Sequence, residues 1–234
     1  MKVSLLETAG LEPAVLSIFV SKRHLDTTLA LNIHKEYLDY IHHENTRDAQ
    51  VFERRLTRAL AIGRQHTTVL RFINFSFLVE DIHRGAQDDW DSHARRFDNR
   101  IIRSSTRLSA SEVGAKSDYY DGKIMTFGEA IKKADIPMPI GLTIDGVNYE
   151  KTDHGYIRED LVENQDVVRG LYPLCLPSTF VYSVNLAEFC HIYKVRRAGH
   201  GAHEEVSQLA ETCALLIKDA IPQVDQTYLL EVET

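Results

Sequence analysis

Hydrophobic and polar residues follow two periods along the chain, and each period predicts one type of secondary structure. Apolar residues at helical spacing, together with helix-boundary residues, predict helices over 26–43, 48–62 and 202–221. The segment 72–79 is predicted to be a strand, because Ile73, Phe75, Phe77 and Val79 alternate with Asn74 and Ser76. These elements predict one helix-rich α+β domain.

Residues that cap, stop or reverse the chain mark the ends of these elements. Asp26 can cap the first helix, Gly63 ends the second and Pro222 ends the last. The pair Asp145-Gly146 predicts a two-residue hairpin turn.

Other segments carry weaker patterns. A first strand is expected over 3–6, and helices are expected over 83–94 and from 158 to 168. Prolines interrupt 171–185, whose pattern is mixed. Apart from the hairpin, the segment 110–160 is the least informative part of the chain.

Composition and charge exclude several classes of protein. The 234-residue chain is 44% hydrophobic and 26% charged, with a formal net charge of −7, which argues against the basic surface that broad nucleic-acid binding requires. No apolar run approaches the ~18 residues of a membrane span, and the first ten residues do not form a secretory signal pattern. The cysteines lack metal-like spacing, which predicts reduced, buried thiols in a cytosolic protein.

Arginines concentrate in one segment of this acidic chain. The cluster consists of Arg95, Arg96, Arg100, Arg103 and Arg107. Guanidinium groups stay charged and bind phosphate through paired hydrogen bonds, so the cluster predicts a site for a small anionic ligand. The alternative is a solvated helix face that pairs with the acids at 88–91. Arg169 and Arg196-Arg197 lie beside apolar sequence, where a bound nucleotide would supply the acceptors that buried arginines require.

The histidines form no recognisable metal-binding motif. His200 and His203 lie three residues apart, but a metal site needs three or four converging ligands and the HExxH pattern is absent. P-loop, Rossmann and serine-hydrolase motifs are also absent. Surface or hydrogen-bonded histidines are the default interpretation, and a metal-dependent phosphohydrolase is kept as a third functional hypothesis.

Three segments carry a more specific pattern. The first, 65–84, places a histidine before a phenylalanine-rich strand. The second contains Arg95-Arg96-Phe97 and Ser105-Thr106-Arg107-Leu108. The third contains, in order, Arg169, Pro173, Asn185, Arg196 and the run from His200 to Val206. In their order and spacing, the three segments resemble the flavin-dependent thymidylate synthases, the ThyX family.

The chain departs from the family pattern at identifiable positions. Arg96 and Phe97 replace the histidine and second arginine of the family's Arg-His-Arg motif. Arg103 stands where an acid or an amide is expected, and Ala187 stands where a flavin-binding arginine is expected. A short insertion separates the first two segments, and 115–160 does not match the family pattern.

The resemblance implies an α+β fold in which helices wrap a central, mostly antiparallel sheet. The fold would be a single domain over 1–234 with an atypical insert at about 110–160. The implied reaction is methylation of carbon 5 of uracil, with FAD as cofactor, methylenetetrahydrofolate as one-carbon donor and NADPH as reductant. Both dUMP and UMP are candidate substrates, because some family members act on UMP. The resemblance also implies a cytoplasmic homotetramer with shared active sites and no nucleic-acid or membrane partner.

The resemblance assigns roles to individual residues. Arg196 would be the catalytic arginine that stabilises negative charge on the pyrimidine ring, and Ser105 would be a second catalytic residue near the uracil. The residues expected to bind the nucleotide are Arg103, Ser105, Arg107, Arg169 and Arg196. The residues expected to bind FAD are His66, Thr68, Arg95, Arg96, Asn185 and His191. No residue is assigned to a metal.

The departures from the family pattern leave a second function open. A chain that has lost flavin contacts could be a non-catalytic nucleotide-binding protein of the same fold. Retention of bound flavin, visible as a yellow protein, would separate the enzyme from this alternative.

Overall fold

The computed structural model describes residues 1–21, 24–92, 99–103, 116–135, 137–152, 154–172 and 174–233. The description covers only the backbone of Asn99, Gln165, Asp166 and Arg169. The strands are β1 (Lys2–Ala9), β2 (Asn74–His83), β3 (Asn99–Arg103), β4 (Gly141–Ile144), β5 (Val147–Thr152), β6 (Gly155–Arg158) and β7 (Pro177–Asn185). The helices are α1 (Leu11–Ser21), α2 (Thr27–Ile41), α3 (Arg47–Gly63), α4 (Arg84–Ser92), α5 (Phe127–Ala134), α6 (Gln165–Val168), α7 (Leu186–Arg196), α8 (Glu204–Ala220) and α9 (Gln226–Glu231). Short 3-10 helices cover Leu70–Phe72, Asp118–Tyr120, Glu159–Leu161 and Arg169–Leu171.

The strands form two sheets. One sheet has the order β1-β2-β7-β3, and a second, antiparallel sheet has the order β4-β5-β6. Together with the helices, these sheets confirm the predicted α+β class.

Strand β2 confirms the predicted alternation and extends beyond it. Phe75, Phe77 and Val79 are buried, as expected for one face of a half-buried strand. At Asp81 the backbone has a φ of +53°, and the next two residues are both buried. A left-handed residue within a strand breaks the two-residue period, so the pattern predicted an end at 79 although β2 continues to His83.

The predicted hairpin is confirmed at the turn between β4 and β5. Ile144 pairs with Val147, which leaves Asp145 and Gly146 as the two turn residues. Their φ values are +53° and +76°. Two consecutive positive φ angles match the turn that best suits the twist of an antiparallel pair.

The chain divides into two compact units, each built from several separate segments. The first unit contains Met1–Lys2, Val79–Asp89 and Ile102–Phe180. The second unit contains Val3–Leu78, Trp90–Ile101 and Val181–Thr234. The single domain over 1–234 stays a prediction.

The second unit contains the helices with the strongest sequence patterns. Asp26 Oδ1 accepts a hydrogen bond from the Leu29 N–H at 2.7 Å, so the predicted cap of α2 is confirmed. Thr46 Oγ1 caps α3 in the same way by accepting from the Ala49 N–H at 3.0 Å. The predicted helix over 202–221 is confirmed as α8. The buried face of α3 includes Phe52, Leu56, Ala59 and Leu60.

Helix α7 lies in the same unit, but its periodicity is weak. Its buried residues include Leu186, Ala187, Phe189, Cys190, Ile192 and Tyr193. A helix that is buried on nearly all sides has no polar face, so its sequence shows little helical period. The helix follows β7 without a loop, and the Leu186 N–H donates to the Ile73 carbonyl at 2.8 Å.

The first unit contains the described part of 110–160. His83 contacts two aromatic rings of the 3-10 helix, with its ring centroid 5.7 Å from that of Tyr119 and 4.8 Å from that of Tyr120. Helix α5 begins with a capping box. Thr126 Oγ1 accepts from the Glu129 N–H at 3.3 Å, and Glu129 Oε2 accepts from the Thr126 N–H at 2.8 Å. These interactions explain local order that hydrophobic periodicity did not predict.

Two predictions for the segment 158–185 need correction. The helix expected over 158–168 is replaced by the 3-10 helix Glu159–Leu161 and the single turn α6. The mixed segment 171–185 contains the nine-residue strand β7, which begins at Pro177. A proline is compatible with the first residue of a strand, so its presence did not exclude this element.

Candidate active site

Arg196 is the last residue of α7, and only 5% of it is exposed. Its Nη2 group donates a hydrogen bond to Ser92 Oγ at the end of α4, over 3.1 Å. The C-terminal end of a helix stabilises a positive charge, whereas burial penalises a cation that lacks acceptors. The structure therefore holds a permanently charged group among buried residues, where it can recognise an anion or a carbonyl-bearing ring.

Further interactions fix the end of α7. The Tyr193 hydroxyl donates to Glu211 Oε2 on α8 at 3.0 Å. Burial and this hydrogen bond raise the pKa of Tyr193 to about 12, so the phenol stays protonated near neutral pH. Lys194 Nζ donates to the Val232 carbonyl. Hydrogen bonds to Glu211 and to the Val232 carbonyl therefore hold the end of the helix that carries Arg196.

Asn185 joins β7 to α7 and is buried. Its Oδ1 accepts a hydrogen bond from the Glu188 N–H at 2.9 Å, which makes it the N-cap of α7. The cap satisfies one of the backbone donors that a helix start leaves unpaired. Asn185 therefore has a structural role, in addition to the flavin-binding role that remains a prediction.

Three further residues expected to bind FAD lie on two elements. His66 and Thr68 are exposed in the turn that follows α3. This turn leads into the 3-10 helix Leu70–Phe72, which packs near α7. His191 lies on α7 and is half-buried. Among the described residues, the predicted site residues in the second unit are His66, Thr68, Asn185, His191 and Arg196.

Arg103 lies in the first unit and has a clear ionic partner. Its Nη1 group donates to Asp88 Oδ1 at 2.7 Å, and Arg84 Nε lies 3.6 Å from the same oxygen. The side chains of Arg103 and Asp88 are 39% and 49% exposed. For Arg103, the structure therefore contains the acid pairing that the sequence allowed as the alternative to a ligand site, although Arg103 lies on the strand β3 and not on the helix face of that alternative.

The remaining predicted residues are not described at the level of their side chains. Ser105, Arg107, Arg95 and Arg96 lie outside the described residues, and Arg169 is described only in its backbone. Their assigned roles stay predictions.

Of the two partners of the candidate arginines, one was missed by the sequence analysis and the other was named only within the alternative interpretation. Ser92, which accepts from Arg196, lies 104 positions away in the chain, and no sequence pattern distinguishes it. Asp88 was named only as one of several acids available to the arginine cluster.

The neighbouring Gln87 is buried and accepts a hydrogen bond from Ser178 on β7. This hydrogen bond indicates how α4 is held within the first unit.

The described residues supply neither a set of grouped metal ligands nor a membrane-spanning helix. Within the ranges given above, no three His, Cys, Asp or Glu side chains are grouped so that they could hold a metal ion. None of the helices in the described part of the chain is both long and apolar enough to cross a membrane.

The fold is the one adopted by flavin-dependent thymidylate synthases. A solved structure of ThyX from Helicobacter pylori with FAD and dUMP has a TM-score of 0.55 and 15% identity, covering 98% of this chain and 100% of that chain. A second Helicobacter pylori ThyX structure, also complexed with FAD and dUMP, has a TM-score of 0.54 and 16% identity, with full coverage of both chains. At such low identity, the similarity establishes the fold.

Sequence comparison then identifies the family. The model of the Thy1 family, described as thymidylate synthase complementing protein, matches residues 29–223. The chain therefore belongs to this family, and the resemblance to ThyX proteins is confirmed. A search of curated proteins found no match to this chain.

Proposed function

We propose that the protein is an FAD-dependent enzyme that methylates carbon 5 of uracil in dUMP or UMP. Methylenetetrahydrofolate would donate the one-carbon unit, and NADPH would be the reductant. The observation that carries the proposal is the family match over 29–223, a range that contains the buried Arg196. The FAD and dUMP in the solved ThyX structures support a flavin and a uracil nucleotide as the ligand classes.

Arg196 would stabilise the negative charge that develops on the pyrimidine ring when carbon 5 acts as a nucleophile. The planar donors of a guanidinium group match carbonyl oxygens at the edge of uracil. In a buried position, attraction between opposite charges is stronger than in water. The Ser92 hydrogen bond helps to orient the guanidinium before substrate binds, so little reorganisation is needed during the reaction.

The remaining nucleotide contacts are proposed for residues of the arginine-rich segment and for Arg169. Arg107 and Arg169 would bind the phosphate, and Ser105 would lie near the uracil. Arg103 would contact the same nucleotide while Asp88 holds part of its guanidinium. An arginine has five N–H donors, so one carboxylate partner does not prevent the binding of a second acceptor.

The chemistry of the described side chains fits a flavin dinucleotide. The His66 imidazole and the Thr68 hydroxyl are exposed, and His191 is half-buried, so each can meet a ligand. Imidazole and hydroxyl groups can donate to phosphate or ring acceptors. When bound, reduced flavin would supply the hydride. The residues proposed to hold FAD are His66, Thr68, Arg95, Arg96, Asn185 and His191.

A non-catalytic nucleotide-binding protein of the same fold is the second candidate function. It is favoured by Arg96, Phe97 and Ala187, which stand where the family pattern has other residues. The use of Asn185 Oδ1 as a helix cap favours it further, because this oxygen is already engaged.

The absorption spectrum of the purified protein tests these two functions. For the enzyme, we expect flavin bands, stoichiometric uptake of added FAD and a change in the flavin spectrum when dUMP or UMP is added. For the non-catalytic protein, we expect nucleotide binding without FAD uptake. A protein that binds neither FAD nor a uracil nucleotide would contradict both functions.

Substrate choice and assembly require separate measurements. Turnover of dUMP and UMP should be compared under identical conditions, and a ratio near one would argue against specialisation for either sugar.

We also propose a cytoplasmic homotetramer whose subunits share active sites. Light scattering should then give a mass four times that of the 26.7-kDa chain.

A further inference from the structure

The second unit contains a cleft that is lined by none of the residues proposed for the active site. Its volume is about 710 Å³, within the range of about 300–1,000 Å³ typical of small-molecule sites. Residues at the ends of α2 and α8 and at the beginnings of α1 and α3 line it. Because helix beginnings and helix ends both contribute, their dipoles offset one another, and the side chains determine the charge of the cleft.

The side chains that line the cleft carry a net negative charge. Glu44 in the turn after α2, Glu53 on α3 and Asp219 near the end of α8 supply carboxylates. His43 is also present, whereas the described lining contains no lysine or arginine. The Gln223 side-chain amide donates to Glu53 Oε1 at 3.1 Å, which orients that carboxylate.

Aromatic and aliphatic side chains line the same cleft. Tyr37 and Tyr40 line the cleft and pack against Phe52, with ring centroids 5.3 and 5.2 Å from its centroid. Leu11 adds an aliphatic side chain. Burial and the nearby Glu53 carboxylate raise the pKa of Tyr40, so its ring remains a neutral phenol. Methylene groups pack on such a surface, and aromatic faces attract cations.

We propose that this cleft binds a linear aliphatic polyamine. Its three carboxylates come from three different elements and line the same cleft as the aromatic and aliphatic side chains. Separate carboxylates can pair with ammonium groups spaced along a methylene chain, whereas a compact divalent ion requires ligands that converge on one point. The same carboxylates repel anionic ligands, and a neutral chain of similar length cannot form the ion pairs.

Isothermal titration calorimetry with spermidine tests the proposal, with 1,8-octanediol and Mg²⁺ as comparison ligands. We expect saturable spermidine binding that weakens as salt concentration rises, and no binding of the neutral diol. The double variant Glu53→Gln/Asp219→Asn should weaken spermidine binding about tenfold, because it removes two partly exposed ion pairs. Both carboxylates are on exposed residues, so the variant should melt at the same temperature as the parent protein.

A matched control separates this cleft from general attraction to an acidic protein. The variant Asp118→Asn/Glu150→Gln makes the same change in net charge at exposed positions of the first unit. Spermidine affinity should be unchanged in this control. Equal weakening in both double variants, displacement of spermidine by equimolar Mg²⁺, or the absence of saturable binding would overturn the proposal.

Discussion

Arg196 and Arg103 show two different settings for an arginine, one buried and one exposed. Arg196 is 5% exposed at the end of α7, and it donates to a serine hydroxyl. The Arg103 side chain is 39% exposed at the end of β3, and it pairs with Asp88. Burying a charge requires strong compensation, whereas an exposed ion pair forms at little cost and contributes little. The comparison therefore makes Arg196 the stronger candidate for chemistry and gives Arg103 a sufficient structural explanation.

The largest expected effect follows from substitution of Arg196. Arg196→Ala should lower kcat by roughly 10²–10³-fold, the typical effect of removing a group that stabilises transition-state charge. Arg196→Lys should recover only part of the activity, because lysine keeps the charge but loses the planar donors. Steady-state kinetics with dUMP and UMP would measure both effects.

Two controls show whether the effect is chemical. Ser92→Ala removes one hydrogen-bond partner of Arg196. It should lower kcat by less than Arg196→Ala does, with a rise of about 1 kcal/mol in activation free energy. Thermal melting should show that every variant is folded at the assay temperature. A loss of activity that follows unfolding alone would contradict the catalytic assignment.

The next effect separates the two roles of Asn185 at the beginning of the same helix. Asn185→Ala removes the cap and should lower the free energy of unfolding by about 1 kcal/mol, whereas Asn185→Asp retains a capping oxygen and should keep most of the stability. If the amide also donates to FAD, both variants should bind FAD roughly three- to tenfold more weakly. FAD affinity that falls only in the less stable Ala variant would contradict a direct flavin contact.

Arg103 should give a smaller effect than either Arg196 or Asn185. A double-mutant cycle with Arg103→Gln and Asp88→Asn should give a coupling energy of roughly 0.2–1 kcal/mol for this exposed pair, decreasing as salt is added. Denaturant unfolding of the four proteins would measure it. If Arg103→Gln lowered kcat as much as Arg196→Ala, the contrast between the two arginines would be wrong.

The smallest expected effect is a difference in reactivity among the three cysteine thiols, which tests burial around α7. Burial raises the pKa of Cys190, on α7, to about 12 and also raises the pKa of Cys213, so both stay as unreactive thiols. Burial raises the pKa of Cys175 as well, but this residue is 6% exposed whereas the other two are fully buried. Native protein should therefore react slowly with a thiol reagent, first at Cys175, and all three cysteines should react in denaturant. Rapid labelling of Cys190 in folded protein would contradict the burial of α7.

Sequence patterns predicted the parts of the fold in which one face of an element is buried. Helices α2, α3 and α8 have an apolar face and clear boundaries, and the β4–β5 turn has a local requirement for positive φ. Helix α7 was not resolved by periodicity because it is buried nearly all round. Strand β2 was predicted too short because Asp81 interrupts its alternation.

The candidate site was less predictable than the fold. Arg196 was identified through the family resemblance and through its position beside apolar sequence, but its hydrogen-bond partner depends on tertiary packing that a local pattern does not contain. Its hydrogen bond to Ser92 joins residues that are 104 positions apart. Asn185 was predicted to bind flavin, and its capping role became evident only from the boundary between β7 and α7. The residue types in the family motif therefore predicted the chemistry, whereas the hydrogen-bond partners of these residues could be identified only in the folded chain.

The most direct test of the central claim is transfer of an isotopically labelled carbon from methylenetetrahydrofolate to a uracil nucleotide. With FAD and NADPH present, mass spectrometry should detect the label in a 5-methyl product of dUMP or UMP. Under the same conditions, an Arg196→Ala variant that still binds FAD should form the labelled product roughly 10²–10³-fold more slowly. If FAD and nucleotide bind to the parent protein but neither nucleotide gains the labelled carbon, the proposed methylation is contradicted.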